Sequence, residues 1–269
     1  MSKDRLNGKT ALVTGAAKRL GREIALALAD AGANVIVHYR ESVEEAGKLR
    51  TELVARGVKA WLVKADFDDA EAPARLIPDA LAAAGSLDIL VNSASLFLPS
   101  TIQDMDFAGL TRLMQVNAWA PLALSREFAR RVGRPFELPQ GGPEHGRTGR
   151  GRIVNMLDSR IAGLDMSHVA YILSKRALAA LTEMMAVEFA PGIAVNGVAP
   201  GLILPPPGKD EAYLDELAKG LPLKRHGNPG DIADAVMYLL RSDFVTGQVI
   251  FVDGGRRLLE LDRGPDHHY

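Results

Sequence analysis

Tyr171 and Lys175 stand one helical turn apart in Tyr171-Ile172-Leu173-Ser174-Lys175, within a stretch whose apolar residues recur with helical period. Residues four apart on a helix share a face, so the phenol and the ammonium point the same way. A phenol of pKa near 10 can act near neutral pH when its ionised form is stabilised, and a neighbouring cation does that. Such a pair can pass a proton to a reacting group. A Tyr and a Lys at this spacing also arise by chance in many helices. Here Asn117, in Val116-Asn117-Ala118, and a glycine loop near the start of the chain tip the balance toward catalysis.

That loop is Thr14-Gly15-Ala16-Ala17-Lys18-Arg19-Leu20-Gly21-Arg22, running straight into the helical stretch Glu23–Ala31. Gly15 permits a tight turn and Gly21 close packing of the helix. The helix N-terminus offers unpaired N–H groups and a positive dipole end to a pyrophosphate. The spacing differs from G-x-G-x-x-G, yet between a strand and a helix it still points to a dinucleotide. The adenosine ribose is read at the end of the second strand, where an Asp or Glu would accept from a 2′-hydroxyl and repel a 2′-phosphate. The chain there reads His38-Tyr39-Arg40-Glu41-Ser42, with Lys18 and Arg19 able to approach. Basic groups and a hydroxyl favour NADP(H). If the strand ended one residue later, Glu41 would instead be placed to accept from the ribose of NAD(H).

Short β-branched runs at Thr10–Val13, Asn34–His38, Ala60–Val63, Ile89–Val91, Arg152–Met156, Ala194–Val198 and Val249–Val252 read as strands. They alternate with helix-length stretches near 20–31, 42–55, 70–84, 105–131, 168–190 and 229–241. This alternation predicts one α/β domain over residues 1–269, a doubly wound Rossmann fold with a seven-stranded parallel sheet and helices on both faces. Parallel strands are covered on both sides, which is why Ala-Leu-Val and Val-Ile-Val are continuously apolar. Two stretches break the pattern. The segment 133–151, rich in glycine and proline, predicts a flexible loop. Residues 201–222, with Pro205-Pro206-Pro207 and a short helix around Glu211–Lys219, lie beyond the carboxyl end of the sixth strand and predict a substrate lid. Asp66, after the third strand, reads as an adenine contact or as the N-cap of the next helix. The tail 256–269 reads as partly disordered.

The chain has 269 residues and no cysteine, which excludes disulfides, thiolate zinc sites, iron–sulfur ligation and cysteine nucleophiles together. Its 32 Lys+Arg nearly balance 33 Asp+Glu without a long basic block, so no nucleic-acid partner is expected. No apolar run approaches the ~20 residues of a membrane helix. The start, Met1 to Gly8, lacks the apolar stretch of a secretion signal, and the expected location is the cytoplasm. None of the histidines has metal-ligand spacing with carboxylates, so no metal site is expected.

From Thr10 to Asp253-Gly254-Gly255 the chain resembles the short-chain dehydrogenase/reductases. The glycine loop is similar to their T-G-x-x-x-G-x-G, with Arg19 where the middle glycine usually stands. Asn92-Ser93-Ala94-Ser95 follows the fourth strand, Pro200-Gly201 the sixth, and Asn117, Tyr171 and Lys175 match three members of the family's Asn–Ser–Tyr–Lys tetrad. The resemblance implies that Lys175 also holds the nicotinamide ribose and that Asn117 supports a proton-relay water. It implies NADPH contacts from Gly15, Lys18, Arg19, Leu20 and Gly21, from His38, Tyr39, Arg40, Ser42, Asp66 and Phe67, and from Asn92, Ser93, Ala94, Tyr171, Lys175, Pro200, Gly201 and Ile203.

The tetrad's serine lies thirteen positions before its tyrosine, and this chain has Asp158 there, with Ser159 next to it. A carboxyl group can transfer or relay a proton and can hold a basic nitrogen heterocycle, whereas serine mainly orients a carbonyl. Reduction of a C=N bond, which delivers a proton to nitrogen beside a hydride to carbon, fits an Asp–Tyr pair. Pteridine reductases share this Asp–Tyr–Lys arrangement and the Arg-for-Gly change in the loop. Asn92-Ser93-Ala94-Ser95-Leu96-Phe97 is similar to their N-N-A-S-S-F, whose aromatic ring stacks on the pterin. Bacterial dihydromonapterin reductases are more similar still, sharing the Tyr-Arg after the second strand, Ala-Asp-Phe around Asp66, Leu202–Leu204, and the Phe-Val-Thr-Gly…Asp-Gly-Gly-Arg ending. Leu96 and the proline run depart from the pteridine reductase pattern. The resemblance implies a pterin held by Arg19, Ser95, Phe97, Asp158 and Tyr171, and a homotetramer. The alternative is a carbonyl reductase, such as a 3-oxoacyl-thioester reductase, with Ser159 or Asp158 orienting the oxygen; a cofactor-sensing protein without catalysis fits the intact Tyr171, Lys175 and Asn117 least.

Overall fold

The apolar runs pair side by side as seven parallel strands: β1 (Thr10–Val13), β2 (Asn34–Tyr39), β3 (Ala60–Lys64), β4 (Ile89–Asn92), β5 (Gly151–Met156), β6 (Ile193–Pro200) and β7 (Val249–Val252), in the order β3-β2-β1-β4-β5-β6-β7. The computed structural model describes residues 6–132, 151–206 and 208–261. Leu12 of β1 lies opposite Ile36 of β2 on one side and Leu90 of β4 on the other. Successive residues of a strand face opposite ways. Ala11 and Val13 therefore join the core on one face of the sheet and Leu12 the core on the other.

The helices are α1 (Arg19–Asp30), α2 (Val43–Ala55), α3 (Ala72–Ala84), α4 (Phe107–Met114), α5 (Ala120–Val132), α6 (Val169–Glu188), α7 (Glu211–Ala218), α8 (Pro229–Arg241) and α9 (Arg256–Leu261). Buried residues of α1, α2 and α8 cover the first face; those of α3, α5 and α6 cover the second. Local signals set the ends. Asn228 accepts from the Asp231 N–H while the Asp231 side chain accepts from the Asn228 N–H, and Pro229 fills the first helical position of α8.

Between β1 and β4 the strand order reverses direction, opening a crevice at the carboxyl ends of the strands. The loops after β1, β2, β4, β5 and β6 all face it.

The structure departs from the sequence reading in a few places. The stretch read as one helix over 105–131 is α4 and α5 joined by a π-helical turn, Gln115–Trp119. A 3-10 turn, Ser159–Ala162, follows β5. The tail, read as partly disordered, opens with the helix α9, in keeping with that reading; Asp253 accepts from the Gly255 and Arg257 N–H groups and turns the chain. Residues 262–269 of that tail lie outside the described residues, as does all of the predicted flexible loop except Gly151, which opens β5. No helix among the described residues is long and apolar enough to cross a membrane. Among the described residues no group of three or more His, Asp or Glu could hold a metal ion.

Candidate active site

The glycine loop is pinned from behind. Thr14 Oγ1 accepts from the N–H groups of Ser93 and Ala94 at 2.9 and 3.0 Å, which joins the end of β1 to the end of β4. Gly15 has φ +64°, and a Cβ there would sit 2.9 Å from Ala94 Cα. A Cβ on Gly21 would meet the Gly15 carbonyl oxygen at 2.4 Å, so α1 packs on the loop as only glycine allows. Arg19 occupies the left-handed region at φ +55°, where the usual glycine of this loop would sit without strain. Its Nη2 donates to the carbonyl of Pro205 at 3.1 Å and so bridges the loop to the predicted lid. Leu20 packs against the core.

A cleft of ≈ 240 Å3 opens beside this loop, walled by Gly15 and Lys18, by Tyr39, Arg40 and Ser42 after β2, by Asp66 and Phe67 after β3, and by Ala94 and Ser95 after β4. His38 forms part of the wall but brings no charge. It is buried, stacked on Phe67 at 4.7 Å, and burial lowers its pKa to about 4. The ring is neutral because it is desolvated, so the cations at this end of the cleft come from other residues. Cationic groups at the cleft are Lys18, whose Nζ lies 2.6 Å from Glu45, and Arg40, 3.5 Å from Glu41 and 3.8 Å from Asp68. Asp68 is bound chiefly by Arg112, at 2.8 and 2.7 Å. The strand β2 does run one residue further than the sequence suggested, and Glu41 lines the same cleft. Asp66 does not cap α3, which begins at Ala72; its Oδ1 accepts from the Asp68 N–H and closes a turn.

Further along the crevice, α6 and the end of β5 bring Tyr171, Lys175 and Asp158 together. Tyr171 Oη donates to Asp158 Oδ2 at 3.0 Å. Ser159, the neighbouring candidate, is buried, and its Oγ has no hydrogen-bond partner among the described residues. Burial, with the Asp158 charge second, pushes the Tyr171 phenol well above its ordinary value, so it is a proton donor in this state. Lys175 is lowered to about 8 by burial. Its Nζ donates to the Met156 carbonyl at 2.8 Å and lies 5.9 Å from the Tyr171 ring centroid. The ammonium thus sits beside the phenol without bonding to its oxygen.

Asn117 is held in the π turn and is fully buried. Its Oδ1 accepts from Leu96 N and Ser95 Oγ at 2.8 and 3.1 Å, and its Nδ2 donates to Leu96 O and Ser174 Oγ at 2.9 and 3.0 Å. The carboxamide braces the segment after β4 against α6. That segment carries Phe97, 43% exposed, stacked on His168 at 4.3 Å and edge-on to Tyr171 at 4.8 Å.

Not every predicted contact faces the crevice through its side chain. Asn92 is buried and donates to Asn155 at 2.8 Å, while Ile203 is turned into the core against Gly227. A Cβ on Gly201, after Pro200, would fall 2.6 Å from Asp253 Cα, so this glycine serves the close approach of two backbone segments. Sequence reasoning missed Arg160. Its fork grips Asp158 at 2.9 and 2.8 Å and Asp165 at 2.6 Å, and Asp165 in turn lies 3.1 Å from His168. The available signal was the run of alternating charge Asp158, Arg160, Asp165, His168 between a strand and the Tyr171 helix.

Residues 15–257 match the family described as enoyl-(acyl carrier protein) reductase. An uncharacterized oxidoreductase of Mycobacterium tuberculosis is 34% identical, over 96% of this chain and 95% of that protein. The 3-oxoacyl-[acyl-carrier-protein] reductase FabG of Staphylococcus aureus is 32% identical, over 92% of this chain and 97% of its own length. Among solved structures, the FolM alternative dihydrofolate reductase 1 from Brucella canis, complexed with NADP, superposes with a TM-score of 0.86 at 29% identity, covering 100% of both chains.

Proposed function

This chain belongs to the short-chain dehydrogenase/reductase family of oxidoreductases, and from that premise we propose that it reduces the C=N bond of a dihydropterin with NADPH. The observation that carries the reading is the hydrogen bond from Tyr171 to Asp158 at the position where the family usually has serine. The likeness to an alternative dihydrofolate reductase supports it.

The residues present fit the cofactor. Gly15 and Gly21 remove the side chains that would fill the turn, and Lys18 and Arg40 supply cations at the cleft where a 2′-phosphate would lie. When bound, NADPH supplies a hydride for a ring carbon of the substrate. Tyr171 turns its hydroxyl from Asp158 to the adjacent nitrogen and gives up the proton there, so that C=N becomes CH–NH and the phenolate is reprotonated from solvent. Lys175, buried beside the phenol, offsets the phenolate charge while it exists. Phe97 offers an aromatic wall for a flat heterocycle, and Arg19 holds the lid over the loop. Asn117 keeps the Phe97 segment in register with α6.

The second reading is reduction of a 3-oxoacyl thioester, favoured by the identity to a 3-oxoacyl-carrier reductase over nearly the whole chain. NADPH oxidation by the purified protein against dihydropterins, dihydrofolate and an acetoacetyl thioester, with NADH in parallel, separates the two. Turnover of a dihydropterin is the expected result; turnover confined to the thioester would establish the second reading instead.

A further inference from the structure

Arg160 lies in the 3-10 turn after β5, and it is spent on the site more than on its own turn. Its guanidinium donates to both oxygens of Asp158, its backbone N–H donates to Asp158 Oδ1 at 2.9 Å, and the cation sits 4.9 Å from the Phe97 ring centroid and 5.4 Å from that of Tyr171. The turn has a separate anchor. Arg176 of α6 donates to the carbonyls of Ile161 and Gly163. Holding the backbone of 159–163 therefore does not need the Arg160 fork.

Asp158 then has four donors on two oxygens: Arg160 N and Nε on Oδ1, Arg160 Nη2 and Tyr171 Oη on Oδ2. A carboxylate so occupied serves only as an acceptor. Both members of the ion pair are shielded, with side chains 15% exposed each, so the planar fork fixes the plane of the carboxylate as a single ammonium would not.

We propose that Arg160 is a positioning residue for the reaction: it clamps Asp158 in the orientation that receives the Tyr171 hydroxyl, leaving Tyr171 as the one group of the pair that delivers a proton. The inference rests on the reading that Tyr171 protonates the substrate. Asp165 extends the clamp, since it holds the third nitrogen of the fork at 2.6 Å and sits against His168, which stacks on Phe97. The aromatic wall and the proton donor are thus aligned by one cation.

A double-mutant cycle with Arg160→Gln and Asp158→Asn tests this. Arg160→Gln alone should lower kcat on the order of 10- to 100-fold, as a small misplacement of a reacting group does. The dissociation constant of NADPH, measured by its fluorescence, should stay within about two-fold, while KM for the substrate should rise by less than kcat falls. Arg160→Lys should recover part of the loss, since it restores charge without the fork. In the Asp158→Asn background, Arg160→Gln should cost nothing further. Losses that multiply independently, or a rise in KM with kcat unchanged, would overturn the proposal. A crystal structure of Arg160→Gln gives a readout that needs no turnover: the Asp158 carboxylate should rotate away from Tyr171, and an unchanged bond between them would also overturn it. Should the wild type reduce only a carbonyl, the pterin reading fails while the same cycle, run on that carbonyl, still judges Arg160.

Discussion

The backbone N–H of Gly15 donates to Nδ1 of His38 at 3.0 Å, and the other ring nitrogen of His38 lies 3.2 Å from the Ala65 carbonyl oxygen. Together the two bonds put the ring proton on Nε2 and couple the ends of β1, β2 and β3 through one imidazole. Adding a proton at Nδ1 would cost the Gly15 bond.

Acid should therefore loosen the glycine loop first. His38 titrates at about 4 when folded, because of burial, against an ordinary 6.5. As pH falls the unfolded chain takes up this proton before the folded one, so the contribution is complete above about 6.5 and is lost on the way to 4. It amounts to about 3 kcal/mol. Urea unfolding between pH 7 and pH 4.5 should show a steeper loss for the wild type than for His38→Gln; parallel curves would mean that the ring is not the titrating group.

Tyr171→Phe removes the donor and keeps the ring against Phe97. Turnover should drop about 10²- to 10⁴-fold, the usual range for a lost general acid. NADPH affinity should hold, and equal loss of both would reassign Tyr171 to structure.

Asp158→Ser restores the residue that the family usually carries. Dihydropterin reduction should suffer at least about 10-fold more than reduction of an acetoacetyl thioester, since only the former needs the Asp–Tyr pair. The reverse ranking would remove the C=N assignment.

Arg40→Ala should cut the preference for NADPH over NADH by about 10- to 100-fold, the worth of one charge-assisted bond to a phosphate. Glu41→Ala is the control. Affinity for NADH should change by less than about two-fold, and a large loss of NADH binding would identify Glu41 as a ribose acceptor.

Arg19→Gly relieves a left-handed side-chain residue and severs the link to Pro205. Stability should rise by about 1 kcal/mol in chemical unfolding, while KM for the dihydropterin rises. A less stable variant would show that the Pro205 bond outweighs the strain.

Thr10–Val13 was legible to the residue because a parallel strand covered on both faces leaves an uninterrupted apolar run, and the half-buried edge strand Val249–Val252 because all four of its residues are β-branched or aromatic. The glycine loop and the Tyr171–Lys175 spacing were legible because their chemistry is local. Other features left no trace of that kind. A four-residue 3-10 turn is too short to show a period, and a π turn keeps the apolar spacing of the helices around it. His38 shows in the sequence only as a residue at a strand end; its burial and neutrality depend on Ala65 and Phe67, which the fold brings to it. Arg160 looks like any charge in a surface turn until the chain folds Phe97 and Tyr171 beneath it.

The π turn at Gln115–Trp119 also works as a counting device. Each helical residue advances the chain by about 100°, so a turn holding one residue more than its neighbours offsets α4 from α5 by that angle. Deleting a single residue there would let 107–132 close into one regular helix with its apolar stripe still usable, while Asn117 swung off Ser95, Leu96 and Ser174. The turn thus gives one residue to aiming Asn117 at the Phe97 segment and at α6, which a regular helix over the same stretch would leave out of its reach.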